Sequence, residues 1–472
     1  DTNFFTGTIP SEYGKLNKLL FFGVHDNLMH GSLPSQFFPK MTTLEVILIH
    51  NNYFTGSFEN NSLPLSMEYL YLYNNLFTGS LELAVSSDNV LMTGMNLRNN
   101  LFSSSLPSFL GDFQQLFAVD ISDNRFTGTV PMGVSCIMEL RTLVLASNYF
   151  VGDLSQTFNH TGSLLSTFDA SDNGFTGPLP TDLFASTMLQ VFVAAKNCFN
   201  TEITDHLCNT TSLITLDLSG LTGGRPCANT FEILGMYINR VREVSGTLPS
   251  CLFTMPNLQN LYVSGNAIQG PLSDIKNDSS LVTLSLTNNR LTGTIPLTIQ
   301  TSSTLENLEL SFNSLNGIID DHFNASINSG VSDNSDSYAL ALDGNRLSGD
   351  IPTLLRSAIS IDILNGNMFT CQGDATNLPS NDPNHNRYVC GSETLDEYML
   401  YFFIAVFIMI MIGISAYYLS TKQQMLGALL DMLRLAKKYF LWKDISGDTT
   451  GHELLDQMAY ALAAFRIYII FI

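Results

Sequence analysis

The side chains best equipped to grip another molecule lie within the first hundred residues, and they return at a fixed interval. Phe21 and His25 come first, then Val46, Leu48 and His50, then Tyr69, Tyr71 and Tyr73, then Arg98. Successive groups are about 24 residues apart, a spacing typical of stacked repeats. Aromatic rings offer broad apolar contact at small entropic cost, and tyrosine hydroxyls orient a peptide or a sugar ring. Histidine is the side chain suited to a charge switch near physiological pH, so a contact made through His25 and His50 is expected to depend on pH.

Catalysis has no comparable footing. The sequence holds no G-x-x-x-x-G-K-S/T, no kinase motif set and no G-x-S-x-G, and His452-Glu453 lacks the second histidine of H-E-x-x-H. No C-x-x-C occurs and no Cys/His group has zinc spacing, so neither a metal nor a cofactor is expected. The net charge is −21, with −22 on residues 1–398 and +1 on residues 399–472. Such an acidic chain repels nucleic acid and anionic surfaces.

The interval itself belongs to a longer pattern. Asn3, Asn27, Asn52, Asn75, Asn100, Asn124, Asn148, Asn173, Asn197, Asn266, Asn289, Asn313, Asn345 and Asn367 recur, and nearly every one carries the same neighbours. Residues 281–296 show the unit cleanly: Leu281, Leu284, Leu286, Asn289, Leu291, Gly293, Ile295 and Pro296. Within it, x-L-x-L alternates with period two, which predicts a short strand with its leucines inward. Strands of successive units should pair in parallel. The asparagine follows the strand, where its amide can satisfy backbone groups that a buried turn leaves unpaired. The glycine permits a bend and the proline ends the segment. Residues six, four, two and one places before each asparagine should then face outward, which puts the aromatic and histidine groups side by side on one surface.

This unit, L-x-x-L-x-L-x-x-N-x-L/F-x-G-x-I/L-P, resembles the leucine-rich repeat, and its ending resembles the plant-type subclass found in receptor-like membrane proteins. The resemblance covers residues 1–419. It implies an α/β solenoid, a right-handed superhelix with a parallel concave β-sheet, followed by a single transmembrane α-helix. The expected domains are a solenoid over 1–370 with 15–16 repeats, a cap and juxtamembrane linker over 371–398, a membrane helix over 399–419 and a cytoplasmic tail over 420–472. Irregularities fall at 219–234, between a degenerate unit with Leu221 in the asparagine slot and a second, containing Leu234 and Tyr237, with Arg242 in that slot, and at 320–337, a polar loop. Asp120, Asp169 and Asp217 each open a D-x-S that could suggest a cation. The family pattern repeats the same Asp and Ser, so a structural role is expected.

Of seven cysteines, Cys371 and Cys390 flank a polar stretch after the last repeat and resemble the disulfide cap of such solenoids. Cys198 with Cys208 and Cys227 with Cys251 are plausible further pairs. Cys136 is left over and is expected as a buried free thiol. Five sequons, at Asn60, Asn159, Asn209, Asn277 and Asn324, all precede residue 399 and favour a secretory route.

Residues 399–419 hold no charge, and 21 residues at about 1.5 Å each span a ~30 Å hydrocarbon core. Glu393, Asp396 and Glu397 precede them, and Lys422, Arg434, Lys437, Lys438 and Lys443 follow, which orients the repeats outward and the C-terminus to the cytoplasm. Residues 424–443 are expected as a helix, either along the inner leaflet or as a plain juxtamembrane stub. The chain begins inside a repeat, so sequence before it is expected, and it ends in an apolar run, 458–472, read either as the start of a second span or as the end of a short tail. The family implies a plasma-membrane, single-pass receptor-like protein whose repeats bind an extracellular peptide, glycan or protein and which signals through a co-receptor or kinase partner. An adhesion protein, or a membrane enzyme whose catalytic domain lies beyond Ile472, are the other readings.

Overall fold

In the computed structural model the described residues are 2–34, 37–57, 63–81, 91–158, 163–224, 227, 230–233, 236–239, 244–276, 278–324, 338–371, 376–390, 404–409 and 434. The chain divides into two compact units, Asp1–Ser392 and Glu393–Ile472.

The first unit is a solenoid of parallel strands. Fourteen x-L-x segments, from Phe21–Gly23 to Ile361–Asp362, form one sheet in which each repeat pairs with the next. Their central residues, such as Ile47, Leu70, Val119, Leu143 and Leu308, are buried, while the flanking residues face outward. That alternation is what a strand buried on one face requires.

A second set of short parallel strands follows the asparagines and was not anticipated. Nine of them, from Thr6–Gly7 to Cys198–Phe199, make one sheet, and six, from Ser245–Gly246 to Met368–Phe369, make another. Phe54, Phe77, Phe102, Phe126, Phe150 and Phe175 stack along it with ring centroids 6.1–6.2 Å apart. The bend glycine has positive φ in these repeats. At Gly152 φ is +101°, and a Cβ there would lie 2.8 Å from Cγ2 of Thr129 in the preceding repeat, so both backbone and space require glycine.

The helical part of the expected α/β class is slight. In this unit the described α-helical segments are the single turns Phe37–Lys40, Leu154–Thr157 and Leu297–Gln300, and most connections are 3-10 turns. A repeat of this length with two strands leaves no room for more. Proline starts these turns rather than merely ending the segment before them. Pro10, Pro107 and Pro131 present carbonyls to the N–H groups of Tyr13, Leu110 and Val134 at 3.1–3.2 Å.

Each asparagine acts as a staple between neighbouring repeats. Asn148 Nδ2 donates to the carbonyls of Ile121 (3.0 Å), Leu145 (3.1 Å) and Ala146 (3.1 Å), and its Oδ1 accepts from Phe126 N–H at 3.0 Å. The same pattern recurs from Asn52 to Asn345. At Leu221 the amide is missing, and the Leu221 backbone carbonyl moves in to accept from Phe199 N–H at 2.8 Å.

Two expectations near 219–251 are corrected. The strand Thr215–Asp217 pairs directly with Asn260–Tyr262, so the described residues between them, including Tyr237 of the expected repeat, contribute no strand to the long sheet. Thr230–Ile233 and Met236–Asn239 form an antiparallel hairpin instead. This insertion also changes the cysteine partners: Cys198 bonds Cys227, and Cys208 bonds Cys251. Each disulfide ties the insertion or its return to the preceding repeats, where pairing by sequence proximity would have closed each segment on itself. Cys371–Cys390 forms as expected. Cys136 is free but exposed, because it ends the turn Met132–Cys136, whose inward position is taken by Val134.

At the C-terminal end of the repeats, Asp382 Oδ2 accepts from Ile363 N–H (2.7 Å) and Leu364 N–H (3.1 Å). Tyr388 Oη accepts from Phe369 N–H at 2.6 Å, and burial pushes its pKa up to about 12. These side chains satisfy backbone groups that have no further repeat to pair with.

In the second unit, residues 404–409 are helical, with Ile404, Phe407, Ile408 and Met409 exposed. Among the described residues no helix is long and apolar enough to cross a membrane. The rest of 399–419, the tail apart from Arg434, and residues 325–337 of the polar loop lie outside the described residues.

Candidate functional site on the first strands

The fold places the aromatic and histidine side chains on neighbouring strands of the long sheet. Phe21, Val46, Tyr69 and Gly94 stand in register, as do Gly23, Leu48, Tyr71 and Asn96. Phe21 is exposed; Val46, Leu48, Tyr69 and Tyr71 are half-buried. Tyr69 and Tyr71 meet edge to face, with centroids 6.1 Å apart.

Two glycines that the sequence reading passed over shape this surface. A Cβ on Gly94 would lie 3.0 Å from Tyr69 Cδ1 and 3.3 Å from Tyr71 Oη, so both tyrosines lean over the next strand because Gly94 leaves the space. Gly23 gives the Phe21 ring room in the same way, since a Cβ there would lie 2.6 Å from Phe21 Cε1. The only signal for them in the sequence was a missing side chain in an outward column.

One column further along, the rings stack. His25 and His50 are 4.5 Å apart at 19°, and His50 and Tyr73 are 4.2 Å apart at 15°. His50 is 7% exposed and its Nδ1 is buried with no hydrogen-bond partner. Burial, and then the neighbouring His25, lower the His50 pKa, while Asp26 opposes them. Burial, then Tyr69, raises the pKa of Tyr71, and burial, then Asp26 and Tyr71, raises that of Tyr73, so both phenols remain neutral donors.

The edge of this patch is polar. Asn51 Nδ2 donates to Asp26 Oδ1, Asn74 Nδ2 to Asn51 Oδ1 at 2.6 Å, and Asn99 Nδ2 to Asn74 Oδ1 at 3.0 Å. Arg98, exposed, pairs with Asp123 at 3.1 Å. It therefore belongs to the rim rather than to the ring stack, and an exposed pair of this kind contributes ~0–1 kcal/mol.

No metal was expected from spacing, yet the repeat brings three residues with ligating side chains together. One ligand atom from each of His25, Asp26 and His50 lies within 4.8 Å of the others. The D-x-S aspartates take the structural role expected of them. Asp120 Oδ1 accepts from Ser122 N–H (3.0 Å) and Oγ (2.6 Å), Asp169 Oδ1 from Ser171 N–H (2.9 Å) and Oγ (2.6 Å), and Asp217 Oδ1 from Ser219 N–H at 2.9 Å. Burial raises the Asp169 pKa against these bonds.

Of the sequons, Asn60, Asn159 and Asn277 lie outside the described residues. Asn209 is exposed at the end of the turn Asp205–Asn209, and Thr210 Oγ1 donates to the Ser186 carbonyl at 2.9 Å. Asn324 is half-buried, and its amide already donates to the carbonyls of Ser302 and Leu305. An amide held inward in this way is a poor acceptor for a glycan.

Residues 280–302, which include the clean unit around Asn289, match the family model described as Leucine Rich Repeat. No curated protein matches the chain by sequence. Among solved structures, the plant peptide hormone receptor RGFR1 in complex with RGF2 is similar at a TM-score of 0.63 and 23% identity, covering 80% of this chain and 56% of that one. The PEPR1–AtPEP1 structure is similar at 0.62 and 23%, covering 79% and 49%. The ectodomain of the Arabidopsis receptor kinase HAESA, in complex with an IDA peptide hormone ligand, is similar at 0.61 and 24%, covering 81% and 60%. This chain thus spans 49–60% of the length of those three structures. At such identity the likeness is one of fold. The repeat motif, the family match over 280–302 and the parallel solenoid together give the chain a leucine-rich-repeat fold like that of these plant receptor ectodomains.

Proposed function

We propose that the solenoid is the extracellular recognition part of a single-pass plasma-membrane receptor-like protein, and that it binds an extended peptide across its first strands. The observation that carries this reading is the aromatic surface built by strands Phe21–Gly23, Val46–Leu48 and Tyr69–Tyr71 and extended by His25, His50 and Tyr73. Across these three strands, spaced about 4.8 Å apart, it measures about 10 Å, the reach of about three extended residues. Half-buried rings lose little further freedom on binding, and the polar edge supplies amides for a ligand backbone. The fold shared with receptors solved with peptide hormones supports the same reading.

In this account residues 399–419 anchor the chain, Asn209 carries a glycan, and the chain passes its signal to a co-receptor or kinase partner without catalysis of its own. The test is a display screen of random extended peptides against the full chain in detergent, with Tyr71→Ala beside it. Selected peptides should lose about tenfold or more in affinity to the variant, as expected for a central aromatic anchor. Peptides that bind both proteins equally would move the site elsewhere, and selection of glycans alone from a parallel array would replace the peptide reading.

A further inference from the structure

His25, Asp26 and His50 are far enough apart in sequence to show no metal-binding spacing, but one turn of the solenoid makes them neighbours. One ligand atom from each lies within 4.8 Å of the other two. Three features beyond proximity mark the group. His50 is 7% exposed, and its buried Nδ1 has no hydrogen-bond partner, which leaves a nitrogen able to ligate without a partner. Asp26 is oriented: Oδ1 accepts from Asn51 Nδ2, and Oδ2 is left facing His25 Nε2 at 4.0 Å. A carboxylate held by a neighbouring amide in this way is the usual support for a metal ligand. Tyr73 backs the His50 ring from the side away from His25.

We propose that His25, Asp26 and His50 form a binding site for a divalent transition-metal ion of the zinc, nickel or copper class. Two imidazoles and one carboxylate suit these borderline ions, whereas calcium and magnesium take sets of oxygen ligands that this group lacks. Metal–ligand bonds of about 2.0–2.2 Å bring ligand atoms to within about 3.5 Å of one another, so the group must close slightly. The imidazoles are stacked, and their lone pairs lie in parallel ring planes. Binding therefore requires one ring to turn. His25 is the ring that turns, because it is less buried than His50. Three protein ligands leave a coordination position open on the outward face. The inference goes beyond peptide recognition and does not depend on it.

The test is calorimetric titration of zinc, and separately nickel, into the metal-free full chain. His50→Gln, His25→Gln and Asp26→Asn are measured alongside, with His322→Gln as a control for an exposed histidine that also pairs with an aspartate. The wild type and the control should show the same one-to-one micromolar site, and each of the three ligand variants should weaken it by more than about tenfold. His25 and Asp26 are partly exposed, so their variants keep the test decisive if His50→Gln fails to fold. Absence of a micromolar site in the wild type, or a site unchanged in folded His25→Gln and Asp26→Asn, would overturn the proposal.

Discussion

Replacing Asn148 by alanine tests how the repeats are held to one another. The side chain makes four hydrogen bonds, three as donor and one as acceptor. The three carbonyls are not abandoned by its loss. Ile121 O still accepts from Asn124 Nδ2, Leu145 O from Asn173 Nδ2, and Ala146 O from Asp123 N–H. Phe126 N–H is different, since its acceptor is Asn148 Oδ1 inside the core. A buried donor left unsatisfied costs ~1–3 kcal/mol, and the weakened carbonyl bonds with the small void add about 1 kcal/mol. The expected loss is therefore ~2–4 kcal/mol. Position 221 shows what rescue would require: there the backbone carbonyl of Leu221 accepts from Phe199 N–H, next to an irregular insertion that frees the chain to move. Position 148 sits between regular repeats with no such freedom. Urea unfolding followed by far-ultraviolet circular dichroism measures the loss, and a drop in slope would report that the array splits into separately unfolding parts. A loss below ~0.5 kcal/mol, the range of ordinary surface substitutions, would refute the claim that the asparagine joins the repeats.

Other outcomes follow from the same contacts. Phe126→Ala interrupts the ring stack in the second sheet and should cost ~3–5 kcal/mol in the same unfolding assay. Gly94→Val should leave stability nearly unchanged, because the Gly94 backbone needs no positive φ, but it should displace Tyr69 and Tyr71 and weaken peptide binding by about tenfold in a direct titration. Asp362 has its pKa raised from 3.8 to about 6 by burial, then by Asp343 and Asp382. A folded-state pKa above the unfolded one means that the stability associated with the protonated form is complete below about pH 4 and is lost as pH rises through about 6. Asp362→Asn should remove that dependence and stabilise the chain at pH 7.5 by ~1 kcal/mol, a figure reduced because the group is half exposed; an unchanged slope of stability against pH from 4 to 7 would contradict it.

Much of the solenoid was legible because its repeat is written in side chains that must be buried together. The leucine pair around each strand and the asparagine after it predicted the long sheet and the amide staples, and Cys371–Cys390 was implied by its resemblance to the disulfide cap of such solenoids. The second sheet was less visible, since N-x-F-x-G-x-I reads equally as a bend. The pairing of Cys198, Cys208, Cys227 and Cys251 depends on a hairpin inserted between two strands, which no local pattern describes. Cys136 was misplaced because apolar neighbours say little about which side of a 3-10 turn a residue takes. At the site, the large side chains were identifiable by column. Gly23 and Gly94 were not, because their contribution is the room they leave. The grouping of His25, Asp26 and His50 was hidden by reading motifs along the chain when the relevant neighbours lie one repeat apart.

The central claim is that the outward face of the first strands is where a ligand sits. Peptides selected on the full chain, resynthesised with a photoreactive residue and cross-linked before mass spectrometry, test it most directly. Cross-links within 21–25, 46–50 and 69–73 that disappear when excess unlabelled peptide is added are the predicted result. Cross-links concentrated on the 3-10 turns at 108–112 and 132–136, or on residues 227–251, would contradict it.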